Sequence, residues 1–274
     1  MPTMTVNGLE LDYQVTDLRG PFDRRPEWVV FVHGLHSSSQ HWFNQVPDIA
    51  RQYRVVTLDL RGHGRSDTPE AGYEISDYTA DVLGVIDQLG IESAHIVGGS
   101  AGGFIAQELA RTIPQTVRSV TLTGTAARVL TSFSPETLTA GVREHGIDAY
   151  FRDFARESTF SPDVSEQVFE WVMGIMLAAK EDLILRRIVD GLAYDGLDRL
   201  SDIHCPALVV TGEYDGTFPV EQSVELWRGL PQGQLAIIPR CGHLPQLETP
   251  TEYTAILRRF LRFVDGTSVS DDYL

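Results

Sequence analysis

The chain has 274 residues, 42% hydrophobic and 22% charged, which is enough apolar material for a large globular core. Its 38 acidic and 22 basic side chains give a formal net charge of −16, a surface that repels phosphate backbones and anionic bilayers. Nucleic-acid and membrane partners are therefore not expected. No run approaches the roughly 20 apolar residues of a membrane span, and the opening Met1-Pro2-Thr3-Met4 lacks a basic-then-apolar leader, so a cytoplasmic location is expected.

In chain order, residues 5–13 alternate apolar and polar side chains around Asn7-Gly8, the pattern of a tight β-hairpin. After a Pro- and charge-rich loop, Trp28 to Val32 and then Arg54 to Leu58 read as strands. Both runs lack alternation, as strands buried on two faces do. Ser76 is expected to cap a helix reaching Leu89, since Val82, Val85, Ile86 and Leu89 recur at helical spacing. A strand over His95 to Val97, a helix over Gly102 to Thr112 and a strand over Val117 to Thr123 follow. Residues 130–200 break the rhythm and read as helices. Strands over Ala207–Val210 and Leu235–Ile238, separated by a helix, then resume it, and Phe260, Leu261 and Val264 belong to a closing helix. Alternating strands and helices predict an α/β fold with a mostly parallel sheet covered on both faces. Residues 1–129 and 201–274 would form the core and 130–200 a helical lid over the edge where the strands end. Asp265 to Leu274 are polar and read as a loose tail. Cys205 precedes one strand and Cys241 follows the next, about 20 Å apart on that reading, so both are expected to be free thiols.

Chemistry concentrates at Gly98-Gly99-Ser100-Ala101-Gly102, a Gly-x-Ser-x-Gly run between a strand and a helix. A nucleophilic hydroxyl must project from a tight turn there, and glycines on either side remove side chains that would clash with it. The helix behind it turns its first N–H groups toward the reacting centre, so the Ala101 N–H can bind an oxyanion. No lysine stands in or just after the loop, which disfavours phosphate cradling. Of eight histidines, His243 follows the last strand and is the expected general base. The acid is expected after the preceding strand, where Asp215, deeper in the loop than Glu213, is preferred. The order Ser100, Asp215, His243 suits a triad in which the carboxylate orients the imidazole. Leu35, in His33-Gly34-Leu35-His36, is the expected second oxyanion donor through its N–H. Asp59 to Asp67 reads as a structural turn bracing the site. His33, His36 and His41 have no acidic or cysteine ligand among them and suggest no metal centre. Trp42, Phe104, Trp171 and Met176 are candidates for the substrate pocket.

His33-Gly34, Asp59-x-Arg61-Gly62-x-Gly64-x-Ser66, Gly98-x-Ser100-x-Gly102, Gly212-x-x-Asp215 and Gly242-His243 resemble, in that order, the α/β-hydrolase fold superfamily over residues 5–264. Within it the chain is similar to 3-oxoadipate enol-lactonases, small-molecule carboxylesterases and cofactor-free haloperoxidase-like enzymes. The resemblance implies an eight-stranded sheet with a helical lid inserted after the sixth strand. It also implies a catalytic triad of Ser100, Asp215 and His243, oxyanion donors at Leu35 and Ala101, no cofactor, and a small-molecule ester or lactone as substrate. Two positions depart from particular members. Haloalkane dehalogenases and epoxide hydrolases carry Asp where Ser100 stands, and enol-lactonases have Ser-Met-Gly-Gly where this chain has Ser100-Ala101-Gly102-Gly103. Two alternatives stand beside ester cleavage. One is non-ester chemistry at the same site (C–C hydrolysis, amide hydrolysis, lyase or cofactor-free oxygenase reactions) with His243 as main base; the other is a ligand sensor on a hydrolase scaffold. The oligomeric state is left open.

Overall fold

The computed structural model describes residues 2–20, 27–130, 135–191 and 193–266. The hairpin of β1 (Thr3–Val6) and β2 (Leu9–Thr16) forms as the Asn7-Gly8 pair predicts, with Asn7 at φ 51° and Gly8 at φ 81°. There follow β3 (Trp28–Val32), α1 (Val46–Ile49), β4 (Arg54–Leu58), α2 (Ile75–Gln88), β5 (Ala94–Gly99), α3 (Ala101–Thr112) and β6 (Val117–Thr123). Four helices come next: α4 (Pro135–His145), α5 (Ile147–Phe154), α6 (Glu166–Met176) and α7 (Glu181–Gly191). The chain closes with β7 (Ala207–Gly212), α8 (Val220–Gly229), β8 (Gly233–Ile238), α9 (Pro245–Glu248) and α10 (Pro250–Asp265).

The eight strands form one sheet in the order β1-β2-β4-β3-β5-β6-β7-β8, parallel from β4 to β8, with β2 antiparallel to both neighbours. Alternate residues of β3 show why its sequence does not alternate. Val30 and Val32 pack with α2, α3 and α8 (Val82, Ile105, Leu226), whereas Val29 and Phe31 pack with α1 and α10 (Ile49, Leu257, Leu261). Both faces are covered, so every position along the strand is apolar. Because β3 to β8 run the same way, the loops after them emerge at one edge, and this edge carries every candidate catalytic residue.

Helices α4 to α7 occupy the stretch between β6 and β7 and build an apolar cluster of their own. Phe151, Phe169, Val172, Met173 and Ile188 meet Leu244 and Leu247 from beyond β8. Cys205 and Cys241 are both free. Among the described residues no helix is long and apolar enough to cross a membrane.

Two expectations are corrected. The cap of α2 is Glu74 rather than Ser76: the Glu74 and Asp77 side chains each accept from the other's backbone N–H, and Ser76 only donates its hydroxyl to Glu74. A carboxylate there has the same ability to satisfy orphan N–H groups, plus charge that suits a helix start. Asp265 is no part of a loose tail. It ends α10 and takes hydrogen bonds from Tyr53 (2.7 Å) and Arg118 (2.8 Å). Residues 267–274, the rest of that proposed tail, lie outside the described residues, as do residues 21–26 of the Pro- and charge-rich loop.

Candidate active site

The turn from β5 into α3 holds Ser100 at φ 54°, ψ −122°, a conformation that costs a non-glycine residue about 1–3 kcal/mol. Its N–H donates to Thr123 O on β6 at 2.8 Å, and its carbonyl accepts from Gly103 N–H at 2.8 Å. Close approach explains the two flanking glycines. A Cβ on Gly98 would lie 2.1 Å from Gly102 O, and one on Gly102 would lie 2.2 Å from Val32 O. Gly34 is confined in the same way, since its Cβ would come 2.7 Å from that of Ser100. The loop after β3 is thus pressed against the serine.

The loops after β7 and β8 bring Asp215 and His243 together. Nδ1 of His243 lies 2.9 Å from Oδ2 and 3.1 Å from Oδ1 of Asp215, whose side chain is fully buried. A carboxylate only accepts, so Nδ1 carries a proton, and in the neutral ring the lone pair is on Nε2. Phe218 N–H also donates to Asp215 Oδ1 at 2.8 Å, fixing the carboxylate's orientation. Glu213, the other acid considered, is exposed and accepts from Arg240 N–H at 2.9 Å. Ser100, Ala101, Leu35 and His243 line one cavity. Ala101 is the first residue of α3, where N–H groups have no acceptor within the helix.

Two supports of this pair are invisible in the sequence pattern. Residues Ala155–Thr159 form a π-helical turn beyond α5, and such turns free carbonyls from the regular ladder. Thr159 O accepts from His243 N–H at 2.6 Å, while Ser158 O accepts from Gly216 N–H at 2.9 Å. One turn of the helical insertion therefore grips both the Asp215 loop and His243. Glu248 is the second support. Its Oε1 accepts from Gly242 N–H (3.2 Å) and Leu244 N–H (3.4 Å), the residues on either side of His243, and its Oε2 accepts from Ser161 N–H (2.8 Å). A lone Glu in a short helix carries no motif; the only available signal was its spacing of five residues from His243. Glu248→Ala, which strands three N–H groups, is expected to lower unfolding free energy by roughly 3 kcal/mol, read from urea denaturation.

The loop carrying Leu35 is braced by hydrogen bonds. His33 Nε2 accepts from Leu60 N–H at 3.0 Å, so Nδ1 bears the proton and donates to Gly34 O at 2.7 Å. With both nitrogens engaged, His33 has no lone pair for a metal. Asp59 accepts from Ser39 N–H (2.8 Å) and Arg65 N–H (3.0 Å), and a Cβ on Gly64 would collide with its carboxylate at 2.0 Å. The turn expected to brace the site does so. Burial pushes the imidazoles of His33, His36 and His63 down, and that of His41 down to about 3, so these rings are neutral near pH 7.

Of the four pocket candidates, Trp42 and Met176 lie on the cavity wall and Phe104 and Trp171 do not. Phe104 turns from α3 into the core, stacking on Tyr194 at 4.5 Å between centroids and meeting Phe218 edge-on. Trp171 sits on the outer side of α6, against Phe43 and His41, while Val172, Met173 and Met176 face the cavity. Helical spacing marked the apolar side chains without marking which layer they meet. The π-turn residues Ala155 and Thr159 also line the cavity.

The profile of the alpha/beta hydrolase fold family matches residues 27–166. A 2-hydroxy-6-oxononadienedioate/2-hydroxy-6-oxononatrienedioate hydrolase of Paraburkholderia phymatum is 32% identical over 255 residues, covering 86% of this chain and 87% of its own. The enol-lactonase from Burkholderia xenovorans superposes with a TM-score of 0.86 at 27% identity, over 95% of this chain and 99% of its own. An N-acyl homoserine lactone degrading enzyme superposes with a TM-score of 0.84 at 27% identity, over 94% of this chain and all of its own.

Proposed function

The chain belongs to the alpha/beta hydrolase family, and on that footing we propose that it hydrolyses a small carboxylic ester or lactone through an acyl-enzyme on Ser100. The observation that carries this reading is the strained serine sharing one cavity with a buried, carboxylate-bonded imidazole and with Leu35 and Ala101. Ser100 Oγ attacks the carbonyl carbon as His243 Nε2 takes its proton. The negative charge that develops on the carbonyl oxygen is received by the N–H groups of Leu35 and Ala101. Collapse breaks the bond to the leaving alkoxide, which His243 protonates. His243 then deprotonates a water that attacks the acyl-serine, releasing the acid and restoring the hydroxyl. Side chains and backbone supply every step, so the reading calls for no cofactor.

One observation favours a second reading. The Paraburkholderia phymatum relative is named for a substrate with no ester, so its hydrolysis must break a carbon–carbon bond. The enol-lactonase and the lactone-degrading enzyme weigh on the ester side. A panel of p-nitrophenyl esters, lactones and 2-hydroxy-6-oxo-dienoates separates the two. The expected result is kcat/KM of about 10⁴ M⁻¹ s⁻¹ or more for the best ester or lactone, with the dienoates at least about 100-fold below. The reverse order would replace ester cleavage by carbon–carbon cleavage.

A further inference from the structure

We propose that Trp171 determines specificity as a partition: it closes the catalytic cavity off from a neighbouring groove that would otherwise take one arm of a longer substrate. The inference rests on the ester reading above and concerns the size of substrate that the same cavity admits.

The groove has a volume of about 690 Å³, within the range of small-molecule sites. Phe43, 56% exposed, brings it to the surface. Phe43, Val168 and Trp171 give it an apolar lining, and Gln14, Gln40 and Asn44 an uncharged polar one. Among the described residues no charged side chain lines it, in a chain that is 22% charged. Such a lining suits a neutral alkyl or aryl chain.

Groove and cavity lie on two sides of one wall. Three segments present neighbouring residues to the two spaces. His41 and Trp42 line the cavity while Gln40 and Phe43 line the groove; Val172 lines the cavity and Trp171 the groove; Gln246 lines the cavity and Leu247 the groove. Within this wall the rings of His41 and Trp171 are 5.6 Å apart between centroids, in contact with no further layer between them. Phe43 meets Trp171 edge-on at 5.4 Å. The indole is thus the last side chain between His41 and the groove. His41 Nε2 has no hydrogen-bond partner among the described residues. With the indole gone, the imidazole can turn into the vacated space and join the two volumes. Alanine at position 171 keeps α6 helical, so the change is confined to the wall.

The test compares kcat/KM for p-nitrophenyl octanoate with that for p-nitrophenyl butyrate, and octyl acetate with butyl acetate, so that either arm of the ester can report. Each ratio cancels the amount of folded enzyme, so a destabilised variant still gives a valid reading. Trp171→Ala is expected to raise one of the two long-to-short ratios at least about 10-fold over wild type. Trp171→Phe, which keeps an aromatic ring in the wall, should leave both within about threefold. Neither ratio reaching the expected factor in Trp171→Ala, or an equal gain in Trp171→Phe, overturns the proposal. Absence of turnover of either short ester by wild type is a different result: it removes the ester reading, and the partition falls with it.

Discussion

Ser100→Ala is expected to lower kcat/KM for the best ester about 10⁴-fold or more while leaving the melting temperature within about 2 °C of wild type. The two halves of this expectation have different origins. Activity falls because the acyl-enzyme cannot form; what remains comes from the Leu35 and Ala101 N–H groups and from substrate positioning. Stability holds because alanine keeps the Cβ and the same backbone conformation. The turn at φ 54° is fastened by main-chain bonds to Thr123 and Gly103, which the exchange does not touch. A fluorophosphonate probe should add its mass to wild type at Ser100 and leave the variant unlabelled. If His243 instead activated water directly, with Ser100 only binding substrate, the variant would keep a tenth or more of wild-type turnover. That outcome would sink the covalent mechanism.

What the sequence discloses about this site depends on whether the cause is local. Gly98 and Gly102 are legible because a Cβ at either would run into backbone, Gly102 O at 2.1 Å and Val32 O at 2.2 Å, and Ser100 is legible as the residue those glycines frame. Asp215 and His243 are legible through topology: parallel strands deliver their loops to one edge, so chain order predicts proximity. Asp215 could be preferred to Glu213 by depth in the loop, and the structure separates them by burial and partners. Phe104 and Trp171 were beyond reach for the opposite reason. An apolar residue on a helix announces that it will be buried, but whether against core or cavity depends on layers contributed by distant segments. Phe104 meets Tyr194 and Phe218, roughly ninety and more than a hundred residues away along the chain. The π-helical turn and Glu248 fall in the same class, since their work is done on backbone groups that any sequence possesses.

Asp215→Asn is expected to lower kcat/KM about 10⁴-fold, the consequence of a changed proton position more than a changed shape. Asparagine is isosteric, and its oxygen can keep the bond from Phe218 N–H that orients the present carboxylate. The amide NH₂ then faces His243 Nδ1, where the carboxylate now accepts at 2.9 Å. A donor there forces Nδ1 to accept and moves the ring proton to Nε2. The imidazole then presents N–H toward Ser100 and has no lone pair to take the hydroxyl proton. It also loses the buried negative charge that stabilises the imidazolium formed during attack. Glu213→Gln supplies the control: that exposed carboxylate accepts from Arg240 N–H in the neighbouring loop, and its exchange should change kcat/KM less than about twofold. Reading both variants with the same ester distinguishes a carboxylate that sets the tautomer from one that merely lies nearby. Equal effects of the two exchanges would deny Asp215 its special place, because a general loss of loop charge would then suffice.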